Sequence, residues 1–149
     1  MKILFINGSP NKNGNTAALA KELLHGKEYE TLSLTDHKIY SYGQNYDDDE
    51  MAFVLSKIKE ADVVVVGSPL YWHNICGSVR DMLDRFYGLV SPDELSGKTL
   101  FFLFQGAAPE QWMLEAGEYT MKRFASLYGM SYAGMATSRA EARKLSEKL

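Results

Sequence analysis

The 149-residue sequence predicts an α/β fold built on a doubly wound parallel sheet, and three observations carry that prediction. Short apolar runs suited to buried strands alternate with longer stretches whose apolar residues recur at helical spacing. Strand then helix repeats five times, which implies parallel strands joined by right-handed crossovers with helices on both faces. Gly-Ser-Pro follows the first and again the third expected strand, at Gly8-Ser9-Pro10 and Gly67-Ser68-Pro69.

Lys2–Ile6 is an apolar run that stops at Asn7-Gly8-Ser9-Pro10, as a buried strand ending in a loop does. Asn15 or Thr16 then caps a helix carrying Leu19, Ala20, Leu23 and Leu24, closed by His25-Gly26. Tyr29–Leu34 reads as the second strand and Thr35–Tyr46 as a long polar and aromatic loop. From Asp47 the chain turns helical, with Met51, Val54, Leu55 and Ile58 on one face. The acidic run Asp47–Glu50 thereby falls at a helix N-terminus, where the backbone dipole favours negative charge.

Val63–Gly67, four valines closed by glycine, suits the middle of a parallel sheet covered on both faces. A loop through Ser68-Pro69 leads to a helix with Val79, Met82, Leu83, Phe86 and Tyr87 in one stripe. Lys98–Phe104 is the fourth strand, and Pro109–Leu127 a helix facing inward through Met113, Gly117, Met121 and Phe124. Met130–Ala136 is a weak fifth strand, and Arg139–Leu149 a short charged helix. Five strands in one domain of this length suit the order 2-1-3-4-5 of a flavodoxin-like sheet.

Sixteen Lys and Arg against nineteen Asp and Glu leave a net charge of −3, and no segment gathers cations with interleaved aromatics. Nucleic acid is therefore not an expected partner, because clustered cations supply most of that affinity. Cys76 is the single cysteine, so an intrachain disulfide and a multi-cysteine metal site are excluded. A reducing, cytoplasmic setting is expected. No apolar run is long enough to span a bilayer, so no membrane partner is expected either. The sequon Asn7-Gly8-Ser9 counts as a chance match in a chain with no export signal.

In a 2-1-3-4-5 sheet the first and third strands are neighbours where the winding reverses, so the two Gly-Ser-Pro loops open onto one crevice. The first loop runs from Gly8 to Thr16 straight into a helix, presenting backbone N–H groups and the positive helix end to an anion. Ser9, Asn15 and Thr16 add side-chain donors suited to a phosphate. Neither the Gly-Lys-Ser/Thr of a P-loop nor a Gly-x-Gly-x-x-Gly fingerprint is present. The second loop, from Ser68 to Gly77, combines aromatic side chains with exposed amides, as a flat heteroaromatic ring requires. Within it, His73 can orient a substrate or donate a proton, although a lone loop histidine is more often a plain polar contact. Cys76 has no neighbouring base in sequence and reads as a packed, unreactive thiol. The third loop, Gln105-Gly106-Ala107-Ala108-Pro109, borders the same crevice.

Ile6-Asn7-Gly8-Ser9-Pro10 with Gly14-Asn15-Thr16, Gly67-Ser68-Pro69-Leu70-Tyr71, and Gly77 through Leu83-Asp84-Arg85 together resemble the flavodoxin-like NAD(P)H-dependent FMN reductases. That group includes iron–sulfur flavoproteins and related quinone reductases. The resemblance implies an FMN phosphate on Ser9, Asn11, Gly14, Asn15 and Thr16. It implies an isoalloxazine ring held by Pro69, Leu70, Tyr71, Trp72, His73 and Asn74, with Gln105 and Gly106 nearby. NADH or NADPH is then the electron donor, a small molecule such as a quinone the acceptor, and a homodimer the expected assembly. No side chain is named as catalytic, because the flavin carries the chemistry. A flavodoxin-type electron carrier is the alternative, but carriers have a Thr-Gly-rich phosphate loop and a more acidic surface. Iron–sulfur members carry a cysteine cluster between the second strand and second helix, where this chain has Ile39-Tyr40-Ser41-Tyr42-Gly43 and no cysteine.

Overall fold

A computed structural model describes all of residues 1–149. In chain order its elements are β1 (Ile3–Asn7), α1 (Asn15–Leu23), β2 (Glu30–Ser33), α2 (Met51–Glu60), β3 (Val63–Tyr71) and β4 (Asn74–Ile75). They continue with α3 (Gly77–Asp84), β5 (Thr99–Gln105), α4 (Gln111–Leu127), β6 (Ser131–Ala136) and α5 (Arg139–Leu145).

Alternation along the strands divides the core into two layers, since successive side chains leave a sheet on opposite faces. Leu4, Ile6, Val64, Val66, Leu100, Phe102 and Phe104 pack with residues of α2, α3 and α4. Ile3, Phe5, Val63, Val65, Phe101 and Leu103 pack with residues of α1 and α5. The parallel path runs β2-β1-β3-β5-β6, which is the expected 2-1-3-4-5 order once the two-residue β4 is set aside. β4 is an addition to the predicted architecture and pairs antiparallel with the end of β3. No helix is long and apolar enough to cross a membrane.

Several boundaries differ from the sequence reading. β3 does not stop at Gly67 but continues through Pro69 to Tyr71, pairing with β5 as far as Pro69 opposite Gln105. The Gly67 carbonyl accepts from the Gly8 N–H and so faces β1. Two residues on, the proline nitrogen faces that same side, past the end of β1 at Asn7, so no ladder bond is lost there. The N-cap of α1 is Gly14, while Asn15 and Thr16 lie inside its first turn. α2 begins at Met51 rather than Asp47, because the acidic side chains before it bond to the preceding loop and to α3. Tyr87, placed by periodicity on a buried stripe, lies beyond the end of α3 and is exposed. The last helix ends at Leu145 and tightens into a 3₁₀ turn over Ser146–Lys148.

Candidate functional site

The loop after β1 is folded by its own side chains. Asn7 Oδ1 accepts from the Ser9 N–H at 3.0 Å, Ser9 Oγ from the Asn11 N–H at 3.1 Å, and Asn11 Oδ1 from the Asn13 N–H at 3.2 Å. These are local side-chain turns of the kind short polar residues make. The N–H groups of Lys12, Asn15, Thr16 and Ala17 have no acceptor within the protein. Three of the four belong to the first turn of α1, where helix geometry leaves donors unpaired and the dipole is positive. Ser9 and Thr16 are buried beneath them, and each hydroxyl, already an acceptor, retains its proton for a ligand.

Two contacts bind this loop to its neighbours. Gly8 N–H donates to the Gly67 carbonyl at 2.8 Å, and Gln105 Nε2 donates to Thr16 Oγ1 at 3.3 Å. The carboxyl ends of β1, β3 and β5 are thus drawn together with the start of α1. Gly67 permits this approach, since a Cβ there would lie 2.6 Å from Thr16 Cγ2 and 2.8 Å from Phe5 Cε2. The third loop closes as tightly on the second: a Cβ on Gly106 would stand 3.0 Å from Leu70 Cβ.

The second loop is largely a hairpin. Pro69, Leu70 and Tyr71 finish β3, Trp72 and His73 form the turn, and Asn74 opens β4. Trp72 and His73 have φ of +47° and +68°, the left-handed pair that a tight hairpin of this twist requires, although neither is glycine. Such strain persists where the surroundings over-determine it and clusters at binding sites. Trp72 is 94% exposed, so it does not pack beneath the loop. The His73 ring lies 5.9 Å from that of Trp112 in the first turn of α4, whose indole N–H donates to Glu110 at 2.7 Å. Cys76 is buried, its thiol 3.6 Å from the Gly8 carbonyl, which also accepts from Ser78 Oγ at 2.7 Å. The packed thiol expected from sequence is therefore what the structure contains.

The predicted residues of the first loop lie in one cradle at the start of α1, Gln105 of the third loop reaches it through Thr16, and Gly106 packs against Leu70 of the second. Sequence reasoning missed two contributors to the cradle and one long-range ion pair. Asn7 orders the cradle from beneath and is 1% exposed, with Nδ2 lacking a protein acceptor. Its signal was a polar residue ending an apolar strand. Ser78 carried no signal, because it meets Gly8 only through the fold. Arg85, 36 residues from Asp49, grips it with both terminal nitrogens and also donates to the Tyr40 carbonyl at 3.0 Å. Those bonds hold the Asp49 carboxyl down at about 2 despite its burial.

The residues fit a flavin mononucleotide: four unpartnered N–H groups and two buried hydroxyls suit a phosphate, and the hairpin with Gly106 suits the edge and face of a flat ring. The chain is similar to several known proteins. An iron–sulfur flavoprotein of Archaeoglobus fulgidus is 36% identical over 98 residues, covering 57% of this chain and 48% of that protein. Among solved structures, the Trp repressor binding protein from Bacillus subtilis superposes with a TM-score of 0.79 at 18% identity, covering 97% of this chain and 98% of the other. An FMN-dependent NADH-azoreductase of Bacillus anthracis, solved with FMN, gives 0.67 at 16% identity over 99% of this chain and 95% of its own. Those two likenesses concern the fold. The chain spans about half the length of the curated relatives it matches. The family model described as NADPH-dependent FMN reductase matches residues 1–142, and the chain belongs to that family of flavin-dependent oxidoreductases.

Proposed function

We propose that residues 1–149 form one FMN-binding domain of an oxidoreductase that takes electrons from NADPH or NADH and delivers them to a small acceptor such as a quinone. The carrying observation is the junction of three strand ends, Gly8 to Gly67 and Gln105 to Thr16, beside four N–H groups with no acceptor. In this reading Ser9, Asn11, Gly14, Asn15 and Thr16 hold the phosphate. Pro69 through Asn74, with Gln105 and Gly106, hold the ring. FMN held by these residues would supply the two-electron redox chemistry. The protein's part is to neutralise the phosphate with backbone dipoles, fix the ring against the hairpin and leave one side open to substrates.

Exposed Tyr42, Tyr46 and Trp112 support pairing of two copies. A single buried thiol supports a cytoplasmic setting. The test is titration of the purified protein with FMN, followed by anaerobic addition of NADPH and then a quinone. Quenching of flavin fluorescence, bleaching by nicotinamide and recolouring by quinone are expected. Absence of quenching overturns the reading, and bleaching only by dithionite reduces the protein to a carrier.

A further inference from the structure

A groove runs between α3 and α4 away from the hairpin. Its near end, a cavity of about 520 Å³, is lined by Asn74 and Ile75 of the hairpin, Arg80 of α3, and Ala116, Tyr119 and Thr120 of α4. Its far end, about 310 Å³, shares Arg80 and Tyr119 and continues to Tyr87 and Arg123. Both volumes fall in the range of small-molecule sites. The near end begins at Asn74, the last hairpin residue assigned to the flavin ring, so a ring seated there adjoins that region.

The groove departs in charge from the rest of the molecule. The chain as a whole carries −3, yet two arginines and one carboxylate, Asp84, line the groove. Neither guanidinium is committed to a partner within the protein. Arg123 is exposed and its guanidinium makes no ion pair or hydrogen bond. Arg80 comes no nearer than 3.7 Å to Asp84, beyond hydrogen-bonding distance and between exposed side chains, where such a pair is worth little. A guanidinium fork matches an oxyanion such as a carboxylate or sulfonate. The exposed rings of Tyr119 and Tyr87 offer faces on which a flat ring stacks, and Ile75 and Ala116 add apolar surface at the near end.

We propose that this groove is an acceptor site selective for anionic aromatics: a flat ring lies between the end of the hairpin and Tyr119, and Arg80, with Arg123 behind it, pairs with a carboxylate or sulfonate on that ring. The proposal rests on the oxidoreductase reading for the ligand's role as acceptor, and it narrows that acceptor to one bearing a negative charge. In balance, such a quinone takes up two electrons and two protons, as the hydride of the nicotinamide donor and a proton from solvent, and leaves as the hydroquinone.

The experiment is calorimetric titration of the full chain, with and without saturating FMN, with naphthalene-2-sulfonate and with its uncharged counterpart naphthalene-2-methanol. Loss of one charge-assisted contact corresponds to about tenfold weaker binding or more. Wild type is expected to bind the sulfonate more tightly than the alcohol by that factor. Arg80→Ala is expected to abolish the preference, Arg123→Ala to reduce it and Arg80→Lys to restore part of it. When the NADPH-reduced protein is reoxidised, half-saturation by anthraquinone-2-sulfonate is expected to rise about tenfold in Arg80→Ala, with a smaller change for menadione. Equal affinity of wild type for sulfonate and alcohol, or a preference that survives both alanine substitutions, overturns the proposal. Sulfonate binding with reoxidation unaffected in Arg80→Ala overturns the acceptor role. A fall in molar mass by light scattering in Tyr119→Arg, with sulfonate affinity intact, assigns the face to a second copy of the chain and overturns the proposal too. Failure of wild type to quench FMN fluorescence is a separate result and overturns the flavin reading, while the titration without FMN still decides the site.

Discussion

Arg85 grips Asp49 in a bidentate pair, Nη1 to Oδ2 at 2.5 Å and Nη2 to Oδ1 at 3.0 Å, and so ties the loop before α2 to the end of α3. Asp49 also accepts from the backbone N–H groups of Tyr40 and Met51, which makes one carboxylate the organiser of the whole segment. Both side chains are mostly buried. Asp49 lies between β2 and α2, where the resemblance implies a cysteine cluster in iron–sulfur members, and here its bonds to Arg85 cross-link that segment to the end of α3.

Asp49→Asn therefore costs about 2 kcal/mol, between the small effect of an exposed pair and the larger one of a fully buried pair. Urea unfolding is the measurement. The folded carboxyl titrates at about 2 against an ordinary 3.8, with the Arg85 hydrogen bonds as first cause. Because the folded value is the lower one, this stabilisation is complete above the ordinary value and disappears as pH falls through the folded one. The wild-type midpoint should drop over that acidic window more steeply than that of Asp49→Asn.

Thr16→Val keeps the volume of a side chain that is 1% exposed but removes the acceptor of the Gln105 amide. A lost hydrogen bond of this kind is worth about 1 kcal/mol in stability. If Thr16 also donates to the flavin phosphate, FMN affinity falls about tenfold, while dithionite reduction of the bound flavin is unaffected. Fluorescence quenching and thermal melts read the two effects separately.

Gly67→Ala places a methyl 2.6 Å from Thr16 Cγ2 and 2.8 Å from Phe5 Cε2 in the middle of the sheet. Overpacking of that kind costs about 1–3 kcal/mol, and displacement of Thr16 weakens FMN binding as well. Calorimetric melting of the apoprotein isolates the packing cost.

Replacing Trp72-His73 by Asn-Gly relieves two left-handed side-chain residues. The unfolding midpoint should rise by the equivalent of about 1 kcal/mol. The same change removes the exposed indole and the imidazole beside Trp112, so FMN affinity should fall. Opposite signs in melting and quenching mark strain kept for function; a fall in both means that the turn serves only the fold.

The sequence by itself determined the alternation of elements, the parallel order about β1 and β3, and the facing of three loops onto one crevice. Those are local properties: strand and helix periods, glycine and proline punctuation, and a right-handed crossover rule that leaves few alternatives. It likewise excluded a cysteine cluster, which is simple counting. Only the tertiary structure decided that β3 runs on through Pro69, because that depends on β1 ending first. It alone joined Thr16 to Gln105, Asn7 to the fold of the phosphate loop, and Asp49 to Arg85. The Thr16–Gln105 and Asp49–Arg85 contacts span 89 and 36 residues, and no periodicity reports which polar groups meet once the sheet has closed. The exposed groove between α3 and α4 has the same origin, since its two arginines come from helices that the sequence places far apart.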